Sequence, residues 1–308
     1  MKVFVPNYYK NFSCIANKCK HSCCIGWEID IDNESLEKYK NINSDFGKLL
    51  NNNIAFNGEC ASFILDKNER CPFLNNRNLC DIILNLGEDS LCQICSDHPR
   101  FRNYFSDRVE IGLGLCCEEV ARIIVSQKEH FTLIEASDDG DSDSLFNDET
   151  LFFKLRNDIF EMIQKSKSSE QLVEEFFKKI GTKIPDKSLK EWADVYLKLE
   201  RLDKNWEVLL KSLNSHKALD FSIPPQHENS FKNILTYFIY RHLSDSIDNG
   251  NYVERLLFAI LSCGIIFALV KKGNNLEDVV RMYSSEIEYS DENINTLIEL
   301  LEKESLEA

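Results

Sequence analysis

The sequence predicts a mainly α fold, with a cysteine-rich amino-terminal region carrying a small β-hairpin and an α-helical domain after it. Three observations support this. Gly (11) and Pro (6) are scarce among 308 residues, and long Leu/Ile/Lys/Glu stretches favour helix. Eleven of the twelve cysteines lie before residue 118. Apolar residues recur at helical spacing in the second half, as at Phe231, Ile234, Leu235 and Phe238. Hydrophobic residues make up 43%, enough for a sizeable core.

Taken in order, residues 33–50 predict a helix capped near Asn33 or Ser35. Residues 61–82 predict a small hairpin or meander, with Phe63 and Leu65 alternating and Asn75, Asn76 and Asn78 supplying turn chemistry. Cys71 and Cys80 then flank a turn. Cys92 and Cys95, three apart, share a face of one helical turn. Pro99 pushes His98 toward an extended conformation and ends that turn. A helix is expected from about Gly114 to Ser126 with Leu115, Cys116, Val120, Ile123 and Ile124 facing inward. Cys117, about 100° further round, cannot share the direction of Cys116.

The acidic, Ser-rich stretch 135–149 reads as a solvated linker between a cysteine-rich domain at 1–134 and an all-helical domain at 150–308. Helices are expected over about 150–167, 169–181, 187–213, 228–247, 252–272, 276–287 and 291–306. His242 lies on the apolar stripe of the fourth, where a hydrogen-bonded core histidine is the commoner outcome than a catalyst.

Charge excludes some classes of function. The chain carries 36 Lys and Arg against 51 Asp and Glu, a net of −15. Residues 1–134 account for 15 against 18, which leaves 21 against 33, or −12, for residues 135–308. Such a surface is a poor phosphate binder, so nucleic acid is not expected as a partner, whereas a basic protein partner is favoured electrostatically. The beginning of the sequence, MKVFVPNYYK, lacks the apolar run of a secretory signal. The most apolar stretch, Leu256 to Val270, falls short of the roughly 20 residues of a bilayer span and reads as a core helix. A cytoplasmic protein without a membrane partner is expected.

The clustered cysteines imply a local chemical purpose, either disulfides or metal ligation. In a reducing compartment thiols stay free and serve as soft ligands. The first group is spaced C-x4-C-x3-C-C (Cys14, Cys19, Cys23, Cys24), and Cys92 and Cys95 form one CxxC. Cys60, Cys71 and Cys80 come singly, and Cys116-Cys117 is a second adjacent pair. Structural zinc usually shows two CxxC knuckles. Irregular all-thiolate spacing favours an iron–sulfur cluster cradled by loops, with zinc as the alternative. The CxxxCxxC spacing of radical adenosylmethionine enzymes fails, because its third position is Gly26. Nor is there a P-loop, nucleophile elbow, HExxH or dinucleotide fingerprint, and Gly112-x-Gly114 is too short a glycine pattern to define one. Cys263, alone in an apolar stretch, reads as a small buried hydrophobe.

Four strings carry a resemblance: PNYYKNFSCIANKCKHSCCIGWEIDID (Pro6 to Asp32), RCPFLNNRNLCDI (Arg70 to Ile82), LGEDSLCQICSDHPRF (Leu86 to Phe101) and EIGLGLCCEEVARI (Glu110 to Ile123). Together they resemble the flagellin lysine-N-methylase family, and TYFIYRHL (Thr236 to Leu243) is similar to a segment of it. The C-C pair followed by CPFL and a further cysteine also resembles zinc- or iron-chelating cysteine-cluster domains. The first resemblance implies a protein-lysine N-methyltransferase that moves a methyl group from S-adenosylmethionine to lysine Nε of flagellin and carries a [4Fe–4S] cluster. The implied ligand pool is Cys19, Cys23, Cys24, Cys71, Cys80, Cys92 and Cys95, with Cys14 and Cys116 in reserve. His21 and His98 are further candidates near the thiols. Trp27, Arg100 and Arg102 are candidates for holding the cofactor, and Tyr8, Tyr9, Glu118 and Glu119 for deprotonating lysine. Amine attack on a sulfonium methyl needs proximity and deprotonation but no electron. The cluster is therefore expected to hold loops or anchor cofactor rather than generate a radical. The second resemblance implies a non-enzymatic module that binds zinc or iron or senses redox state.

Overall fold

The computed structural model describes residues 1–138, 140 and 144–305. Its strands are β1 (Lys2–Pro6), β2 (Asp30–Ile31), β3 (Ile54–Asn57), β4 (Cys60–Phe63), β5 (Arg100–Tyr104), β6 (Arg108–Leu113) and β7 (Leu133–Asp138). Its helices are α1 (Asn33–Lys40), α2 (Asp45–Asn52), α3 (Asp81–Leu86), α4 (Gln93–Asp97), α5 (Glu118–Ser126), α6 (Asn147–Lys165) and α7 (Ser169–Ile180), then α8 (Leu189–Tyr196), α9 (Lys204–Lys211), α10 (Glu228–His242), α11 (Ser246–Asn249), α12 (Tyr252–Val270), α13 (Leu276–Tyr283) and α14 (Asp291–Ser305). A mainly α fold with small sheets is observed, as predicted.

Two compact units form. One is Ser13–Arg100, and the other joins Met1–Phe12 to Phe101–Ala308. This division differs from the one suggested by composition. The reason is sheet pairing: β1 lies parallel to β6 (Val3 opposite Val109) and antiparallel to β7 (Val5 opposite Ile134), in the order β5-β6-β1-β7. Residues 135–138 of the expected linker are thus strand, and 147–149 begin α6. Residues 139 and 141–143 of that stretch, and 306–308 at the end of the expected helical domain, lie outside the described residues.

In the cysteine-rich unit β2, β4 and β3 form an antiparallel sheet. The hairpin is β3–β4, with Ile54 opposite Phe63, so it falls earlier than the 61–82 expected. Past Phe63 the chain turns back through loops, and only a bridge between Leu74 and Cys80 remains of the expected meander. The helix expected over 33–50 breaks in two. Ser44 caps α2 by accepting from the Gly47 amide at 3.1 Å, and a Cβ on Gly47 would stand 2.1 Å from the Ile42 carbonyl oxygen. Ile29, Leu36, Tyr39, Leu50, Phe63, Phe73 and Ile82 are buried together with Cys71 and Cys92.

In the helical unit α12 is the central element. By length and composition it would suffice to cross a membrane, yet every residue from Arg255 to Leu269 is buried inside the protein. It packs against α10, α13 and α14, as expected of a core helix. The helix expected over 187–213 is instead α8 and α9. The Glu286 carboxylate accepts from the Leu202 and Asp203 amides (2.9 and 2.7 Å), and Asp203 caps α9 at Asn205 (2.8 Å). Helix α10 ends at His242, and α13 runs into a π-helical turn, Ser284–Glu288, whose Ser284, Glu286, Ile287 and Glu288 are buried.

Candidate functional site

Backbone pairing gathers thiols in the cysteine-rich unit. The Cys71 amide donates to the Cys24 carbonyl at 2.9 Å, and Ile25 bridges Arg70. Cys24 and Cys71 thereby lie on adjacent segments. The turn Asn75–Asn78 returns the chain so that Cys80 bridges Leu74. Arg70 braces that turn, donating to the carbonyls of Leu74 (3.1 Å) and Asn75 (2.8 Å) and to Asn78 Oδ1 (3.0 Å). Cys92 is the residue before α4 and accepts the Cys95 amide at its carbonyl (3.0 Å). Cys71 and Cys92 are buried in the unit's core, and Cys24, Cys80 and Cys95 pack against it. Five thiols from three stretches of chain thus share one core.

Their acidities are spread by this packing. The hydrogen bond from Cys23 draws Cys24 down to about 7, burial opposes it, and the Ser22 hydroxyl and Arg70 charge assist. Burial pushes Cys71 up to about 12 and also raises Cys80. Cys92 and Cys95 share a thiol–thiol hydrogen bond that lowers Cys92 and raises Cys95. Each of Cys71, Cys80 and Cys95 is raised further by negative charge at Cys24. A thiolate-held metal, which needs four such donors in an iron–sulfur cluster, fits this soft, oxygen-poor set. Among the described residues, no three His, Cys, Asp or Glu side chains already stand in an arrangement that would hold an ion.

Of the seven ligand candidates, Cys24, Cys71, Cys80, Cys92 and Cys95 share the core, and Cys23 is bonded to Cys24. Cys19 instead donates to the His21 carbonyl at 3.2 Å, and Cys14 is exposed. Trp27 donates to the Cys23 carbonyl and lies 6.2 Å, ring to ring, from His98. His98 is extended, as Pro99 demands (ψ 130°), and its imidazole is held down at about 4 by burial and then by Arg100. Arg100 donates to the Ser96 carbonyl at 3.1 Å.

The helical unit holds a second constellation, missed in the sequence except for His242. Glu288 is fully buried, and its carboxylate stands 2.6 Å from His242 Nε2, 3.0 Å from the Tyr237 hydroxyl and 3.4 Å from Arg241 Nε. Arg241 also donates to the Tyr237 hydroxyl (2.8 Å) and lies between the rings of Phe101 and Tyr289, 5.1 and 5.0 Å from their centroids. Its Phe101 neighbour occupies space left by Gly112, where a Cβ would come within 2.1 Å of the ring. The glycine pattern there is a packing device. The network extends to half-buried Cys116, which donates to the hydroxyl of exposed Tyr289 at 2.9 Å and is pushed up to about 12 by burial. Helix α5 starts at Glu118, later than predicted, so Cys116 and Cys117 both precede it.

The deprotonation candidates part company here. Tyr8 is 3% exposed and its acidity is suppressed by burial, while Tyr9 is partly buried against the core. Glu119 is committed to Arg122 at 2.5 Å, and Glu118 opens α5 in a half-buried position. Arg102 lies on β5. The sequence cue for the second constellation was TYFIYRHL, which supplies Tyr237, Arg241 and His242; Glu288 carried no local signal.

A mainly α protein with five thiols gathered at an apolar core in one unit and a buried Glu–His–Arg–Tyr network in the other is the class that the geometry defines. Residues 94–308 match the FliB lysine N-methylase C-terminal domain, and the chain belongs to that family. It is 30% identical over 138 residues, 42% of its length, to proteins named lysine-N-methylase from Salmonella choleraesuis and Salmonella typhimurium, and the match spans 34% of each. The chain thus covers about a third of those two relatives. It is also 30% identical to the flagellar biosynthetic protein FliU of Salmonella muenchen, of which the match covers 80%. No solved structure matches the chain.

Proposed function

We propose that this protein methylates lysine Nε on flagellin in the cytoplasm, with S-adenosylmethionine as methyl donor and a [4Fe–4S] cluster held by thiolates of the Ser13–Arg100 unit. Family membership is the observation that carries the methyl-transfer reading, and the five-thiol core supports the cluster. The donor, when bound, supplies a sulfonium methyl that is open to in-line attack. The chain has to present a neutral amine to it. The reading assigns the ammonium proton to the start of α5, where Glu118 and Glu119 open the helix. Thiolates from Cys24, Cys71, Cys80, Cys92 and Cys95 would tie three loop stretches together, a structural task for the cluster. The acidic surface, −12 over residues 135–308, would draw in lysine-bearing substrate.

The test is incubation of anaerobically purified protein with methyl-labelled S-adenosylmethionine and unmodified flagellin. Labelled methyl-lysine in the flagellin digest is the expected result, and none in the presence of full iron loading would overturn the reading. The second reading, a zinc- or iron-binding or redox-sensing module, uses the same five thiols but does not draw on the family match of residues 94–308. It would be favoured by metal binding without label transfer.

A further inference from the structure

We propose that Arg281, beside the amino-terminal end of α5, anchors the carboxylate of an α-amino-acid group. It rests on the methyl-transfer reading above, in which that group is the amino-acid tail of the methyl donor.

The observation is a guanidinium whose Nε has no acceptor. Arg281 is 9% exposed, and its Nε is buried without a hydrogen-bond partner. Among the described residues no hydrogen bond or ion pair within 4.0 Å reaches it; what acts on it is longer-range charge from Asp203, Asp278, Cys116 and Glu118. The other buried arginines each have hydrogen-bonded partners, although the Nε of Arg156 is also without one. Arg156 makes two 2.7 Å bonds to Glu110, and Arg255 bonds Asp245 (2.8 Å), Asn251 (3.0 Å) and the His242 carbonyl (3.0 Å). Arg241 has Tyr237 and Glu288. A buried cation left without a partner is costly, so such a site is completed by an acceptor from outside the chain.

The surroundings narrow the acceptor. Guanidinium presents a planar fork that suits a carboxylate in two-point contact. The nine-residue helix α5 begins nearby with Cys117 at its cap position and no side-chain cap bond, and its first turn already carries Glu118 and Glu119, so this end suits a ligand that brings a cation together with its anion. A bare anion would meet the carboxylates of Asp203, Asp278 and Glu118. A zwitterion would not be penalised in this way, because its ammonium can face them. Neither Asp203 nor Glu286 closes on Arg281 in its place. Asp203 is engaged in capping α9, and Glu286 accepts the Leu202 and Asp203 amides.

The experiment is equilibrium dialysis of the full chain, wild type and Arg281→Met, with two probes. S-adenosylhomocysteine carries the amino-acid tail, and 5′-methylthioadenosine lacks it. Loss of a buried charged contact predicts roughly 30-fold weaker S-adenosylhomocysteine binding by the variant, with the methylthioadenosine affinity unchanged. Equal S-adenosylhomocysteine affinity in both proteins, or an equal fall for both probes, overturns the anchor. If Arg281→Met does not melt cooperatively, Arg281→Lys is used: a selective loss of several-fold is expected, and an unchanged affinity counts against the anchor. Wild-type protein that binds neither probe would remove the methyl-transfer reading and the anchor together. Binding that ignores residue 281 removes the anchor alone.

Discussion

The Tyr237 hydroxyl accepts the Leu115 amide at 3.1 Å while standing 3.0 Å from the Glu288 carboxylate, and so ties the segment before α5 to a charge buried under α10. Leu115 is followed at once by Cys116, whose thiol meets Tyr289. The π-helical turn Ser284–Glu288 is what aims Glu288 inward, and such turns recur at functional sites.

Tyr237→Phe removes the acceptor for the Leu115 amide and one partner of Glu288. A loss of about 1–3 kcal/mol is expected from the unsatisfied groups. The loosened segment should also expose its thiols. Urea unfolding measures the first effect, and the rate of labelling of Cys116 and Cys117 by a thiol reagent, read by mass spectrometry, measures the second.

The Glu110–Arg156 pair is 0% and 2% exposed at its side chains and is surrounded by Phe105, Phe152, Phe153, Phe160 and Tyr240. Breaking one side leaves a bare charge in that cage. Arg156→Met is expected to cost about 3–5 kcal/mol, and replacing both partners with apolar residues should cost less. A denaturation series of the two single variants and the double variant checks this.

His98 gives a pH dependence with a definite sign. Burial, then Arg100, lowers its imidazole from 6.5 to about 4. Between those values the unfolded chain binds the proton and the folded chain does not. Stability contributed by the neutral imidazole is therefore complete above about pH 6.5 and falls as pH drops toward 4. His98→Gln should flatten that window in a stability–pH profile; an unchanged slope would refute the assignment.

Metal loading should follow the core and not the cysteine count. Cys24→Ser and Cys71→Ser are expected to lose most of the iron retained on anaerobic purification. Cys60→Ser, at an exposed position on β4, and Cys263→Ala, in α12, should retain it. Iron analysis with absorption spectroscopy decides, and iron lost equally from all four would remove the five-thiol core as the site.

Much was legible in order along the chain. Low Gly and Pro and a 3.6-residue apolar period indicated a mainly α protein, and the apolar run Leu256 to Val270 indicated a core helix, which α12 is. Clustering of cysteines before residue 118 pointed to the unit where five thiols share a core, and His242 was read as a hydrogen-bonded core residue, which it is. These are properties of local pattern, and local pattern is what helix geometry and burial respond to.

Tertiary structure alone decided which residues meet. Glu110 and Arg156, 46 positions apart, and Arg241 and Glu288, 47 apart, have no common pattern in the sequence. The same holds for β1, whose partners β6 and β7 lie more than 100 residues away. Pairing across such distances depends on how elements pack and which buried charges must be answered. No short window of sequence contains both halves of those contacts.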